Sequence, residues 1–438
     1  MSGYFSSLPP AWRCEKLKHV ADFWVSNVDK LTIENEIPVR LCNYTDVYHR
    51  EFITPDLPLM EATATKAEIA KFCLKAGDVV ITKDSESWDD IAVPALIERS
   101  APDMVCGYHL SMIRGRDAQL DGRYLFRCFQ SGKIRSQLEV EAKGVTRYGL
   151  PNSAIGEALL PIPPLPTQRR IAAYLDRETA RIDSLVREKE ELLRLLEEKR
   201  ASTISHAVTR GLNPKAKLKP SHIPWLGDVP EHWAIAQTRH LIRHLTSGSR
   251  GWSRYYSPNG DKFIRIGNLR RGSLMMDLGD IQHVQIPPDG TGETAERARI
   301  RKDDVLFSIT AYLGSIGICP PEIEGAYVSQ HVALVRVKQE KILPAWLGYF
   351  ALGQSGQVQL NEASYGGTKL QLSLDDIRNF TVPCPPLDEQ EAIVRCLSRV
   401  TTIFDSLDTD IKTSIALLRE KRSSVISAAV TGEMNTPP

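Results

Sequence analysis

Residues 161–209, PIPPLPTQRRIAAYLDRETARIDSLVREKEELLRLLEEKRASTISHAVT, return without a gap 222 positions later as residues 383–431, PCPPLDEQEAIVRCLSRVTTIFDSLDTDIKTSIALLREKRSSVISAAVT. Of the 49 aligned pairs 23 are identical, including the runs PPL, DSL, EKR and AVT, which places the match far beyond chance. The stretch before each copy repeats more faintly. Leu8-Pro9-Pro10-Ala11-Trp12 echoes Val229-Pro230-Glu231-His232-Trp233, and Gly107-Tyr108-His109 stands opposite Ser329-Gln330-His331. The chain is two copies of one module, a globular part followed by a repeated segment. The period is far longer than the roughly 20–50 residues of a solenoid unit.

The repeated segments read as helices. Ile171, Leu175, Ile182, Leu185, Leu192 and Leu196 in the first, with gaps where Glu178 and Lys189 interrupt, and more completely Ile393, Leu397, Val400, Phe404, Leu407, Ile411, Leu418 and Val425 in the second, fall at steps of three, four or seven residues. That is a heptad-like seam. A proline-rich PxPPL precedes each, and Asp388 with Glu391 forms a capping-box pattern. Gly211 and Gly432 supply stop signals. Each helix is expected to run about 43 residues. An apolar stripe that long must be buried, and the other copy is the available partner. Chain direction makes the pair antiparallel and returns the C-terminal end to the first globular part, a dumbbell with an approximate two-fold axis. Packing of the two helices into one compact body is the plainer alternative.

The globular parts read as α+β rather than regular βαβ alternation. Short apolar runs suggest strands at 38–41, 78–82 and 109–113, and at 263–266, 304–309 and 331–337, with helices near 124–131 and 345–352. The Pro- and Lys-rich stretch 213–222 reads as a linker. With 438 residues, 42% hydrophobic and 25% charged, there is chain enough for two cores. No leader pattern and no apolar run of membrane-spanning length is apparent, so a cytoplasmic protein is expected. The eight cysteines form no CxxC pair and read as buried thiols. The net charge is +1, and no part is strongly basic, so a nucleic-acid footprint would have to come from local clusters.

Catalytic patterns are missing. There is no GxxxxGK, no GxGxxG, no Asn/Asp-Pro-Pro-Tyr/Phe, no HExxH and no GxSxG. His109 and His331 occupy matched positions, and a satisfied structural histidine is the preferred reading over a paired catalytic role. What remains is basic and aromatic loop chemistry: Lys83, Trp88, Arg114, Arg147 and Tyr148 in the first part, and Arg250, Trp252, Arg254, Tyr255, Arg271 and Lys369 in the second. Such residues contact phosphates, and Arg reads base edges bidentately. Each of them could equally be a solvated surface group.

These residues carry a family likeness. Residues 223–233, IPWLGDVPEHW, open the second part; PxPPLxxQ closes each part, at 161–168 and 383–390; and each long helix carries EKR. In this doubled order the whole chain resembles the specificity subunit of type I restriction-modification systems. The IPWxGxxPxxW opening is complete only before the second part, the first keeping Pro9 and Trp12. The resemblance implies two target-recognition domains, 1–160 and 214–382, with spacer helices 161–213 and 383–438. Each domain would read one half of a bipartite site in double-stranded DNA. The helices would dock methyltransferase subunits, for which Lys199, Arg200, Lys421 and Arg422 are candidates. It also implies that this chain is non-catalytic and holds no metal or cofactor. S-adenosylmethionine, ATP and Mg would belong to methyltransferase and restriction/translocase partners. Two alternatives stay open: a specificity region detached from a single-chain restriction-methylation enzyme, and a coiled-coil scaffold with two protein-binding heads.

Overall fold

A computed structural model of the chain describes residues 5, 8–116, 118–285, 292–311, 313–364 and 370–434. It forms two compact units, one of residues up to Lys189 together with those from Thr413, the other of Glu190–Lys412. Both repeated segments are helical, Leu165–Arg210 and Leu387–Val430, at 46 and 44 residues slightly longer than expected. Pro166 sits within the first turn, where its missing N–H has no helical partner to lose. The second helix begins at Leu387, so Asp388 lies inside the first turn and is not the cap. The Pro164 and Pro386 carbonyls instead accept the Gln168 and Gln390 N–H groups. Both helices stop at glycines in the left-handed region, Gly211 at φ 73° and Gly432 at φ 74°. A Cβ on Gly432 would stand 2.5 Å from Pro9, and one on Gly211 3.3 Å from Trp233, so the opening Pro/Trp motifs close over the helix ends.

The first unit carries a five-stranded sheet in the order Ala21–Val25, Leu110–Gly115, Val79–Thr82, Pro94–Ile97, Phe52–Ile53, antiparallel except for the last pair. A second sheet joins Met60–Ala64, Ile37–Cys42 and Met104–Cys106. The second unit repeats this plan. Ile242–Ser247, Val332–Val337, Val305–Ser308 and Ile316–Ile318 form an antiparallel sheet, and Gln282–Val284, Tyr256–Ile264 and Tyr327–Val328 a three-stranded one. In both units the last strand of the three-stranded sheet runs parallel to its neighbour. The expected strands and the helices Gly122–Gln130 and Pro344–Leu352 are all present. The linker is more ordered than its composition suggested, since Leu218–Pro220 pairs with Asp228–Pro230.

Matched side chains hold matched places. Gln168 is fully buried; its amide donates to the Gln119 and Pro163 carbonyls and accepts from the Asp121 N–H, and Gln390 does the same with Lys341, Pro385 and Leu343. These bonds tie the PxPPLxxQ turn to the preceding helix and explain why glutamine, with donor and acceptor on one amide, recurs there. Tyr124 Oη donates to the Pro161 carbonyl where Trp346 Nε1 donates to that of Pro383.

In each unit the two long helices pack antiparallel. In the first, Ile171, Ala172 and Leu175 share a core with Ile426, Ala429 and Val430, around Tyr124, Phe126 and Phe129. In the second, Ile204, Ala207 and Val208 share one with Ile393 and Leu397, around Trp233, Trp346 and Phe350. The repeated DSL and EKR runs meet reciprocally. Arg422 donates to Asp183 at 2.9 Å and to Glu51 at 2.6 Å, while Arg200 pairs with Asp405 and donates to the Thr401 carbonyl at 3.0 Å. Desolvation works against the Arg422 charge, but Glu51 and Asp183 outweigh it and its pKa is raised.

The seam departs from the expected heptads. Leu185, Leu192 and Leu407 are exposed, and Ile415 and Ile426 are buried in addition to Ile411. A straight helix drifts by about 20° per heptad relative to a 3.5-residue repeat, so the buried stripe walks off the sequence register. Arg200 and Arg422, expected as outward docking groups, are likewise corrected: both are largely buried between the helices, whereas Lys199 and Lys421 are exposed.

Replacing Arg422 by Gln should destabilise the first unit by about 1–2 kcal/mol, the scale of a partly buried ion pair. A double-mutant cycle with Asp183→Asn, followed by denaturant unfolding, should give a coupling of about 1 kcal/mol. The Arg200–Asp405 cycle should match it in the second unit.

Candidate nucleic-acid interface

The first unit builds a polar shelf where three segments converge. Asp84–Ser85 continues from the strand Val79–Thr82 and pairs with Tyr148–Gly149. Lys143 and Gly149 exchange backbone hydrogen bonds, closing a hairpin whose tip exposes Val145, Thr146 and Arg147. Gly144 is required at the bend, with φ 150° and the place of a Cβ only 1.9 Å from the Arg147 carbonyl oxygen. The Lys83 N–H donates to the His109 carbonyl, and the Leu150 N–H to that of Lys83, which locks the segments together.

His109 lies at the centre of the shelf in the left-handed region, φ 69°. Its Nδ1 is 2.5 Å from Asp84 Oδ2, and its Nε2 is 3.1 Å from Arg147 Nη2. One tautomer satisfies both contacts: Nδ1–H donates to the carboxylate, and Nε2 accepts from the guanidinium. The Tyr108 ring lies tilted by 50° against the imidazole, 3.6 Å between centroids, while remaining 46% exposed, and Trp88 is 52% exposed nearby in sequence. Lys83 is half-buried against Asp84. Tyr148 is partly buried against the core.

The second unit has the same shelf with different side chains. The Ile309 N–H donates to the His331 carbonyl, the Leu372 N–H donates to that of Ile309, and Thr310 bridges Gln371. His331 Nδ1 lies 2.9 Å from Thr310 Oγ1, and its Nε2 2.8 Å from Gln330 Nε2. Thr310 thus stands where Asp84 does. Lys369, expected here, lies outside the described residues. A second feature is the stretch 250–255. Gly251 adopts φ 82°, Arg254 Nε donates to the Gly251 carbonyl, and its guanidinium lies 5.5 Å over the ring of Tyr255. Arg250 is exposed.

Two expected contact residues take other places, and a third lies apart from the shelf. Trp252 is 2% exposed and packs against Phe263 and Tyr327, so it belongs to the core. Arg114 makes a two-point pair with Asp78, itself 1% exposed, and Arg336 makes the same pair with Asp304 in the second unit. A buried carboxylate needs such a partner, so Arg114 is an internal strut; its reappearance as Arg336 five residues after the matched histidine was the sequence signal for this. Arg271 lines a cleft of about 670 Å³ with Leu196, Arg200, Phe404 and Lys412, on the helix pair of its unit. Asp84, Tyr108, Thr310 and Gln330, which sequence reasoning did not select, are placed on the shelves.

Burial pushes Cys128 up to about 12 and Cys384 to about 11. Cys14 and Cys396, expected to be buried, are exposed. Among the described residues no group of three or more His, Cys, Asp or Glu is placed to hold a metal, and no helix is long and apolar enough to cross a membrane.

This duplicated shelf-bearing architecture defines the class. Residues 34–194 and 255–417 each match the type I restriction modification DNA specificity domain, and the chain belongs to that family. It is 25% identical over 308 residues to the type I restriction enzyme EcoBI specificity subunit of Escherichia coli, a match covering 68% of this chain and 63% of that protein, somewhat less than two thirds of its length. The fold is that of a chain in a structure concerned with complex assembly and conformational transition of the type I R-M system, at TM-score 0.73 and 19% identity over 98% of this chain and all of that one. The HsdS subunit from Thermoanaerobacter tengcongensis matches at TM-score 0.54 and 20% identity, over 98% of both chains.

Trp252→Ala should cost the second unit about 3–5 kcal/mol, as for other buried aromatics. Arg250→Ala should stay within about 0.5 kcal/mol of the parent. Thermal unfolding followed by circular dichroism distinguishes the two placements.

Proposed function

We propose that this chain is the non-catalytic DNA-recognition subunit of a type I restriction-modification complex, each globular unit reading one half of a bipartite site. The observation that carries this reading is the duplication itself. The two units share sheets, struts and helix clasps, while the side chains on their shelves differ: Asp84, Tyr108 and Arg147 in one, Thr310 and Gln330 in the other. A common frame bearing two different sets of hydrogen-bonding groups suits the reading of two different sequences. Lys83, Trp88, Arg147 and Tyr148, with Arg250, Arg254, Tyr255 and Lys369, are the proposed contacts. Arg271 is retained as a phosphate contact on the helix side.

Methyltransferase subunits dock on the helices, where Lys199 and Lys421 are exposed in matched positions beside the buried arginines. Chemistry resides in these partners and in restriction/translocase subunits, which carry S-adenosylmethionine, ATP and Mg. The modest net charge, +1, accords with partners supplying much of the phosphate contact.

Exchange of residues 214–382 for the corresponding segment of a relative, followed by sequencing of modified adenines in cells that also express the methyltransferase, should change one half of the methylated motif and leave the other intact. Changes in both halves, or in neither, would overturn the assignment. Lys199→Glu with Lys421→Glu should weaken assembly with the methyltransferase in analytical ultracentrifugation without lowering the unfolding midpoint, because exposed charges contribute little to stability.

A further inference from the structure

We propose that Arg147 is the guanine-reading residue of the first unit, and that Asp84 and His109 are positioning residues that hold its guanidinium for the task. The inference deepens the DNA-recognition reading and rests on it. A freely rotating arginine on a hairpin tip would recognise phosphates and bases alike. Arg147 is not free: one Nη2–H is directed to His109 Nε2 at 3.1 Å, and His109 is in turn fixed by Asp84 at 2.5 Å through Nδ1. Because Asp84 takes the Nδ1 proton, Nε2 keeps its lone pair, which is what a guanidinium donor requires. Of the five N–H groups of arginine, four remain, and whichever Nη2–H faces His109, one two-point fork, end-on or side-on, stays open to O6 and N7 of guanine in the major groove.

The surroundings fit the same task. The Arg147 side chain is exposed, and the hairpin carrying it is closed at both ends by the Lys143–Gly149 bonds and the pairing of Tyr148–Gly149 with Asp84–Ser85. Its backbone is therefore anchored at the base of the hairpin. The Tyr108 ring lies tilted against the imidazole, 3.6 Å between centroids. The second unit keeps the histidine but replaces Asp84 by Thr310, and its His331 Nε2 faces the Gln330 amide.

The test uses the full chain with its methyltransferase partner and reads the modified motif by sequencing, together with binding of duplexes carrying single-base changes. Arg147→Ala should relax one guanine position of one half-site, with about tenfold to hundredfold loss of discrimination there and the other half-site unchanged. Arg147→Lys keeps the charge but loses the fork, so affinity should persist while that position still relaxes. His109→Asn tolerates the left-handed backbone yet is too short to bridge Asp84 and Arg147. It should relax the same position to a smaller degree, whereas a merely structural histidine would weaken all sequences equally. An unchanged motif in Arg147→Ala, or uniform weakening on every duplex, overturns the proposal while leaving DNA recognition standing. Absence of any sequence-dependent modification by the parent chain overturns both.

Discussion

Asp183 with Arg422, and Asp405 with Arg200, form the constraint around which the molecule is organised. Each aspartate comes from the DSL run of one copy and each arginine from the EKR run of the other. A change in either run alone therefore removes one partner of a partly buried ion pair, although Arg422 would keep Glu51. The apolar partners on either side of these pairs obey the same reciprocity, Leu175 lying in one core with Val430 and Val208 in one with Leu397. The high identity between the two helical segments is the imprint of this mutual packing. Where the copies do not contact each other in this way, as on the shelves, they have drifted apart.

The architecture was legible from sequence because it depends on periodicity and on chain direction, both of which a single repeat reveals. Two 40-odd-residue helices ended by Gly211 and Gly432, antiparallel packing and matched strands at 79–82 and 305–308 all follow from such signals. The exposed Leu185 and Leu192 escaped because a heptad pattern does not carry the drift of a straight helix away from the 3.5-residue repeat. Arg114 and Trp252 were selected as contact residues for their chemistry alone. Nothing local distinguishes an arginine facing solvent from one facing Asp78, 36 residues earlier, or a tryptophan on a rim from one under Tyr327. The shelves were half legible: the matched histidines stood out, but their partners come from a strand end 25 residues upstream and a hairpin 38 residues downstream.

The shelves also illustrate how specificity can diverge without disturbing a fold. The backbone bonds that converge on Lys83 and Ile309 are the same in both units, and so are the Asp–Arg struts, each built on a buried aspartate. Side chains mounted on that lattice are free to change, since none of Arg147, Tyr108 or Gln330 helps fill a core. Residues such as Gly144 and His109, which hold unusual backbone angles, belong to the lattice and not to its cargo.

The division of the long helices between the units has a consequence for biosynthesis. The second unit is one continuous stretch, Glu190–Lys412, whereas the first takes Ile426, Ala429 and Val430 into its core and ties Tyr124 Oη to the Val430 carbonyl. Domains emerging from a ribosome ordinarily fold in the order of synthesis. Here the order is inverted: the later-made unit has all of its parts first, and the earlier one waits, with an open apolar face, for residues 413–430. During translation the nascent first unit is therefore the vulnerable species, the one that a chaperone would need to shield.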